Sequence, residues 1–450
     1  MRKAKIGIVG MCSAVESGAQ RYEELMSGAQ HALEAAGIEV AVASKACYTP
    51  ADALMIVEEM RAAEIDALAM IYVTWVMDSQ SYLFTNELNV PTVCWAVPYT
   101  ETFSIGCVQD YVSVLTAEGI PFTYVYGLPE EPSVIDRVKQ TAIAGRIVKE
   151  VAALRLALLG PRQTWRVAGP QDMSMEEWDF SRALGSTIVH MEMEEIIDQA
   201  KTYSDTEAEE ALTVLRNRTG KTLCSHDTMV WLAKVYLAMK ETIRTTDIKV
   251  FAAECYPNYG GLMNQPASWL EDEGYVVDTE GDIAHAVVKY ILNMAACGGA
   301  AALGETGSFD DEANCLNIAH EGSTPASLAV SVEEVQASPE NENGSFIGFP
   351  LKPMECCTVC DLQGVNGTYK LFLAEGEVLP VTHEEWVNGG EKLLIKLRIN
   401  GAKPSEVIDT MIRHGFHHHL VVKEGGWAEQ MELICKFLGI EVVRAGKRTC

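Results

Sequence analysis

The feature that most restricts this chain is a rhythm in its first third. Unbroken apolar runs, AKIGIVGM at 4–11, VAVASKACY at 40–48, IDALAMIYVTW at 65–75 and VPTVCWAVP at 90–98, alternate with segments of helical period. Between the first two runs, Tyr22, Leu25, Ala29 and Leu33 share one helical face, and Gly37 closes the helix. A strand that is apolar along its whole length is buried on both faces. Such strands alternating with helices build a parallel sheet covered on both sides. Residues 1–159 therefore read as an open α/β domain.

The rhythm continues and then changes. VKQTAIAGRIVKEVAALRLALLG at 138–160 is a helical connector, and GPRQTW opens a second α/β unit over 160–337. Helices near 203–216 and 226–244 belong to it, as does the strand IKVFAAE ending at Glu254. SPENENGS at 338–345 reads as a linker. Beyond it, GTYKLFLAEGEVLP and KLLIKLRI are alternating or apolar runs split by turns, with no long helix before WAEQMELICKFLGI at 427–440. The expected fold is two open parallel-sheet α/β domains followed by a mostly β domain over 346–450. The length of 450 residues suits about three domains of ~150 each.

Charge and cysteine usage narrow the function. A formal net charge of −28, with no basic stripe to offset it, repels phosphates and anionic membranes. No apolar stretch has transmembrane length, and the basic-then-apolar start MRKAKIGIVGMC reads as a first strand rather than a signal peptide. Thirteen scattered cysteines in a chain able to build large cores point to a reducing cytoplasm. Cys357 and Cys360 form a CxxC within CCTVC, but no second pair of zinc-ribbon type accompanies it. Gly7 and Gly10 do not complete a dinucleotide fingerprint.

Four stretches carry chemistry. In DTEGD at 278–282, Glu280 lies at a strand-to-helix junction, where open α/β units bind ligands, although Asp278, Glu280 and Asp282 also suit helix capping. AALGETGSF at 301–309 ends an apolar strand on Glu305 and breaks at Gly307, with Asp310 and Asp311 as rival carboxylates. Glu280 and Glu305 are 25 residues apart, which fits one crossover, and adjacent parallel strands would bring them to one sheet edge. Two carboxylates in one crevice repel, and a divalent cation removes that penalty. CLNIAHEGST delivers His320, which ligates a metal, holds a substrate hydroxyl or is a satisfied core histidine. Lastly, GFHHHLVVKEGG holds His417, His418 and His419. Alternate side chains of a strand share a face, so His418 alone, or His417 with His419, can reach one cation. Oxygen-rich sites with an imidazole suit Mn²⁺, Mg²⁺ or Co²⁺.

VVDTEGDIAHAVVKYILNMAACG, LGETGSFDDEANCLNIAHEGSTP and GFHHHLVVKEGGWAEQMELICKFLGIEVV together resemble the L-fucose isomerase and L-arabinose isomerase superfamily. The resemblance implies an aldose–ketose isomerase working through an enediol. It implies Glu280 and Glu305 as metal carboxylates and acid/base groups. His418 is implied as the C-terminal ligand, with His417 or His419 as alternatives, and His320 as a further site histidine. Asn264, Gln265 and Trp269, in the glycine-rich loop YGGLMNQPASW, are candidates for sugar hydroxyls. A Mn²⁺ cofactor (Mg²⁺ or Co²⁺ also suiting), a monosaccharide substrate and a homo-oligomer, hexameric in many members, are implied too. HEGSTP, with Glu321 where a cysteine is common, departs from the family pattern and leaves the sugar open. A metal-dependent epimerase or lyase, or a non-catalytic sugar-binding protein, is the rival reading.

Overall fold

Each apolar run of the first third forms a strand in the computed structural model, which describes residues 2–160, 177–254, 258–365 and 367–447. Of the expected GPRQTW opening, only Gly160 lies among the described residues. Strands β1 (Lys5–Met11), β2 (Glu39–Val42), β3 (Ala67–Tyr72), β4 (Thr92–Ala96) and β5 (Phe122–Tyr126) make one parallel sheet in the order β2-β1-β3-β4-β5. The central strands β3 and β4 are buried throughout, while the edge strands β2 and β5 are partly exposed, as their more polar sequences require. Helices α1 (Tyr22–Ala35), α2 (Pro50–Ala62), α3 (Asp78–Leu88), α4 (Ser104–Ala117) and α5 (Pro132–Ala152) connect or follow them. Helix α2 shows how tightly sequence sets a boundary. Thr49 accepts the N–H of Asp52, Asp52 returns the bond to Thr49, and Pro50 takes the first helical position.

Contacts divide the chain into two compact units, Met1–Glu150 with Glu432–Gly439, and Val151–Met431 with Ile440–Cys450. The first unit holds the sheet just described. In it, Gly145 of α5 lies against the entry to β3, where a Cβ would overlap the carbonyl oxygen of Asp66. The carboxylate of Asp66 is buried and accepts from Arg2 at 2.6 and 2.8 Å and from the Lys5 N–H at 2.9 Å.

Among its described residues the second unit contains three sheets. The first is parallel, in the order β10-β9-β6-β7, from β6 (Arg155–Leu159), β7 (Thr187–Met191), β9 (Val250–Ala253) and β10 (Val276–Asp278). Its helices are α6 (Glu177–Leu184), α7 (Met193–Lys201), α8 (Asp205–Leu215), α9 (His226–Thr246), α10 (Asn264–Glu271) and α11 (Ile283–Ala295). A small sheet joins β8 (Lys221–Thr222), β13 (Gln336–Asn341) and β14 (Gly344–Gly348). The third sheet comprises β11 (Ala302–Asp310), β12 (Cys315–Ala319), β15 (Met354–Val365), β16 (Thr368–Leu379), β17 (Leu393–Ile399), β18 (His419–Glu424) and β19 (Glu441–Arg444). Its order is β15-β18-β11-β12-β17-β16-β19, and β15 also pairs with β16, so six strands close into a ring. Two parallel sheets followed by a larger, mostly β sheet is the expected fold class.

Two local expectations are corrected. SPENENGS is no linker: it spans the β13–β14 hairpin, with the Asn343 N–H donating to the Asn341 side chain in the turn at 2.8 Å. The stretch before residue 427 does hold helices, α12 (His383–Asn388) and α13 (Pro404–His414). The latter buries only Pro404, Val407 and Met411. Helix α14 (Ala428–Leu438) is the expected late helix.

The Gly145 contact gives a test. Replacing Gly145 with Ala forces backbone apart and should destabilise the protein by about 1–3 kcal/mol, despite the better helix propensity of alanine. Gly106, in α4 with open space at its Cβ position, provides the control, and Gly106→Ala should stabilise by about 0.5–1 kcal/mol. Denaturant unfolding of both variants checks the pair. Equal effects would show that the close approach at Asp66 does not matter.

Candidate metal centre

The DTEGD stretch folds as a tight junction between β10 and α11. Asp278, wholly buried, accepts the N–H groups of Glu280 and Asp282 on one oxygen at 2.9 and 3.0 Å. Asp282 caps α11 by accepting from Ala284 and His285 at 3.0 and 3.1 Å. Gly281 takes the left-handed backbone, φ 69°, that this turn needs. Asp282 is thus the helix cap, while Asp278 ends β10 and braces the turn through one oxygen, its Oδ2 making no hydrogen bond among the described residues. Glu280 points elsewhere: its Oε1 lies 3.4 Å from Nε2 of His320.

Glu305 arrives by a different route from the one expected. Strand β11 is not a parallel neighbour of β10. It belongs to the ring-shaped sheet and runs antiparallel between β18 and β12. An apolar run carries no mark of strand direction, and the covering of both faces that suggests a parallel sheet also occurs where β11 packs centrally. In this register Glu305 stands opposite His419 on one side and Ala319 on the other. Cross-strand neighbours present side chains on one face, so Oε1 of Glu305 comes to 3.9 Å from Nε2 of His419. His320 follows Ala319 directly. Gly307 does not end the strand but marks a bulge between Thr306 and Ser308. The loop after His320 packs onto the β10–α11 turn, where Gly322 lies so close that a Cβ would come within 2.5 Å of His320 Nε2 and 2.6 Å of Thr279 Oγ1.

The histidine triplet divides three ways. Only His419 is in a strand, whereas His417 and His418 precede it and are free of strand alternation. The expectation that neighbours face apart therefore fails. Glu305, His418 and His419 offer ligand atoms that all lie within 4.8 Å of one another, and His417 joins a second group with Asp282 and His285. His418 is exposed, His417 half-buried and His419 wholly buried.

His320 is not a satisfied core histidine. It is buried, and neither ring nitrogen makes a hydrogen bond among the described residues. Burial pushes its pKa down to about 4, against the opposite pull of the Glu305 charge, so the ring is neutral at pH 7. His419 Nε2 likewise has no hydrogen-bond partner, while its Nδ1 lies 3.3 Å from Asp282.

Two groups escaped the sequence reading. His285 of α11 is wholly buried, with Nδ1 2.6 Å from Asp282 and Nε2 3.1 Å from Asp361 of β15. Burial opposes charge on this ring, but Asp282, and after it Asp361, raise its pKa well above the usual imidazole value. The same contact holds the Asp282 carboxyl below its ordinary range. One α-helical turn further, Lys289 is buried in an ion pair with Glu271, whose own pKa burial lifts to about 7. The available signal was polar residues at 282, 285 and 289, spaced along one face of a mostly apolar helix.

The remaining candidates fall outside this constellation or at its border. Asn264, Gln265 and Trp269 lie on helix α10, not in a loop, and all are buried. Trp269 packs edge-on against Tyr236 in the hydrophobic core. Asn264 donates to the Glu321 carbonyl at 3.2 Å. The Glu321 side chain is exposed and pairs with Lys392. Asp310 caps its own turn, and Asp311 accepts from Ser405, so both are engaged at the surface. Cys357 and Cys360 are buried on β15, and burial raises the Cys357 thiol to about 12, unlike a thiolate ligand. Among the described residues no helix is long and apolar enough to cross a membrane.

No protein-family model matches the chain. Its sequence is similar to sulfoquinovose isomerases. That of Clostridium sp. (strain MSTE9) is 24% identical over 342 residues, covering 71% of each chain. That of Priestia aryabhattai is 24% identical over 341 residues, covering 73% of each. That of Alkalicoccus urumqiensis is 22% identical over 377 residues, covering 80% of this chain and 81% of the other. Among solved structures, a periplasmic solute-binding protein of an ABC transporter from Actinobacillus succinogenes 130z with bound D-allose aligns over 66% of this chain and 93% of its own, at 14% identity and a TM-score of 0.19, which is too low to carry an argument. The sequence similarities are distant but consistent, and they relate this chain to the sugar isomerases of the fucose- and arabinose-isomerase-like superfamily.

Proposed function

We propose that this chain is a metal-dependent aldose–ketose isomerase whose cation is held by Glu280, Glu305, His320 and His419. The observation that carries the reading is the set of buried imidazole nitrogens, on His320 and His419, that face carboxylates without hydrogen-bonding to them. Donor atoms sharing one cation at about 2.1 Å lie ~3 Å apart at neighbouring positions, close to the 3.4 and 3.9 Å separations here. Two carboxylates and two imidazoles suit Mn²⁺ or Co²⁺, with Mg²⁺ a weaker fit because it prefers oxygen. His419 is preferred over His418 as ligand because it is buried and its Nδ1 faces Asp282. A cation there would supply Lewis-acid polarisation of the sugar carbonyl.

The chain's own residues would do the rest. One of the two glutamates takes the proton from C2 of the open-chain sugar and returns one to C1. Asn264 and Gln265, buried at the start of α10 with side-chain atoms that lack hydrogen bonds among the described residues, are proposed as hydroxyl-binding groups. Trp269 is better explained as core. The oligomer implied by the family resemblance, and the three-way division of the chain into 1–159, 160–337 and 346–450, belong to the same proposal.

The first test is metal content. Glu280→Gln, Glu305→Gln and His419→Ala should each lose about 10-fold or more in Mn²⁺ affinity, and His418→Ala less than about 3-fold. An isomerase assay of the Mn²⁺-loaded protein on L-fucose, L-arabinose, D-arabinose and sulfoquinovose names the sugar. Full metal retention in all three site variants, or no turnover of any aldose, would refute the assignment.

A second test uses the metal-free protein. The folded His320 pKa of about 4 lies below the ordinary value near 6.5, so between these the unfolded chain binds more protons. Stability is full above pH ~6.5 and falls as pH drops towards 4, by up to about 3 kcal/mol from this residue. His285 and His419, whose pKa values are raised, contribute stability that is fully present in that window and lost only at higher pH. Unfolding midpoints at pH 7, 6 and 5 should therefore fall more steeply for the wild type than for His320→Asn.

A further inference from the structure

We propose that Asp282, His285 and Asp361 form a buried clamp of positioning residues that fixes the ring of His419, so that its Nε2 faces the cation site. The inference rests on the metal reading above, which uses Asp282 only to choose His419 and does not use His285 or Asp361.

The contacts close a circuit. His285 Nδ1 meets Asp282 Oδ2 at 2.6 Å, and the same oxygen meets His419 Nδ1 at 3.3 Å. On the other side of the ring, His285 Nε2 lies 3.2 Å from the carbonyl oxygen of His419. One imidazole thus touches His419 twice, at its backbone and, through Asp282, at its side chain. Asp361 stands behind it at 3.1 Å. All four residues have no exposed surface. A carboxylate on Nδ1 sets the tautomer, leaving Nε2 as the acceptor turned towards Glu305. Carboxylates placed behind ligating histidines do this in metal sites generally.

Ordinary structural use explains part of the group but not all of it. Asp282 caps α11 through its other oxygen, Oδ1, which leaves Oδ2 for the two imidazoles. The desolvation of Asp361 beside His285 offsets much of their attraction, so stability alone does not account for the pair. The rival reading is that Asp282, His285 and His417, whose donor atoms also converge, bind a cation themselves.

Affinity for two metals separates these readings. Losing a nitrogen ligand harms Co²⁺ more than oxygen-preferring Mg²⁺, whereas general loosening harms both alike. Dissociation constants and stoichiometries would be measured for wild type, Asp361→Asn and Asp282→Asn. The second variant keeps a good helix cap and serves if the first does not fold. A drop of about 10–100-fold for Co²⁺, with less than about 3-fold for Mg²⁺ and unchanged stoichiometry, is expected. Equal losses for both metals, unchanged affinities, or loss of a whole equivalent of bound metal would each overturn the clamp. Wild-type protein that takes up no Co²⁺ would instead overturn the metal reading, and the clamp with it.

Discussion

The second unit is organised around a helix that has nowhere to put its charges except inside. Helix α11 packs against β9 and β10 on one side and β15 and β18 on the other, and eleven of its residues are buried. Its Asp282 cap, His285 and Lys289 therefore enter an interior where an unpaired charge costs several kcal/mol. Each has an answer from a different element: Asp282 meets His419 of β18, His285 meets Asp361 of β15, and Lys289 meets Glu271 of α10. These pairings tie the parallel sheet to the ring-shaped one. Beside them, Glu280 of the β10–α11 turn lies against His320, and Glu305 of β11 against His419.

Within that frame, register does the fine placement. Glu305 and His419 are opposite residues of one antiparallel pair, and Ala319 lies across the other side of β11. A shift of one position would turn Glu305 to the opposite face of the sheet. Gly304 belongs to the same requirement, because a Cβ there would come within 2.6 Å of Ile318. Lys423, further along β18, donates to the carbonyls of Gly298 and Ala300 just beyond the end of α11. It thereby joins strand and helix at the end away from the β10–α11 turn.

Much of this was legible beforehand, and the parts that were not share a cause. The first sheet could be read because β3 and β4 are apolar throughout and separated by strongly periodic helices. Glu280 could be read because a carboxylate between two flanking aspartates is conspicuous. Direction could not be read for β11, since AALGE is equally apolar either way. His285 could not be assigned a role because its partner Asp361 is 76 residues further along. Helix α13 is a different case: Pro404, Glu406 and the left-handed Gly415 bracket it in the sequence, but its narrow apolar stripe of Val407 and Met411 was lost among neighbouring strands.

The position of β18 has a consequence for how the protein is made. This strand lies between β15 and β11, both of which precede it in the chain. As the polypeptide leaves the ribosome, β11 and β15 must therefore wait with open edges until residues 419–424 emerge to fill the slot. Open edges of apolar strands are sites of wrong pairing between chains. The strand that brings His419 to Glu305 is also the one that closes those edges. A nascent chain stalled before it would lack both the proposed metal ligand and protection from aggregation, so loss of function and loss of solubility should appear together in damage to this segment.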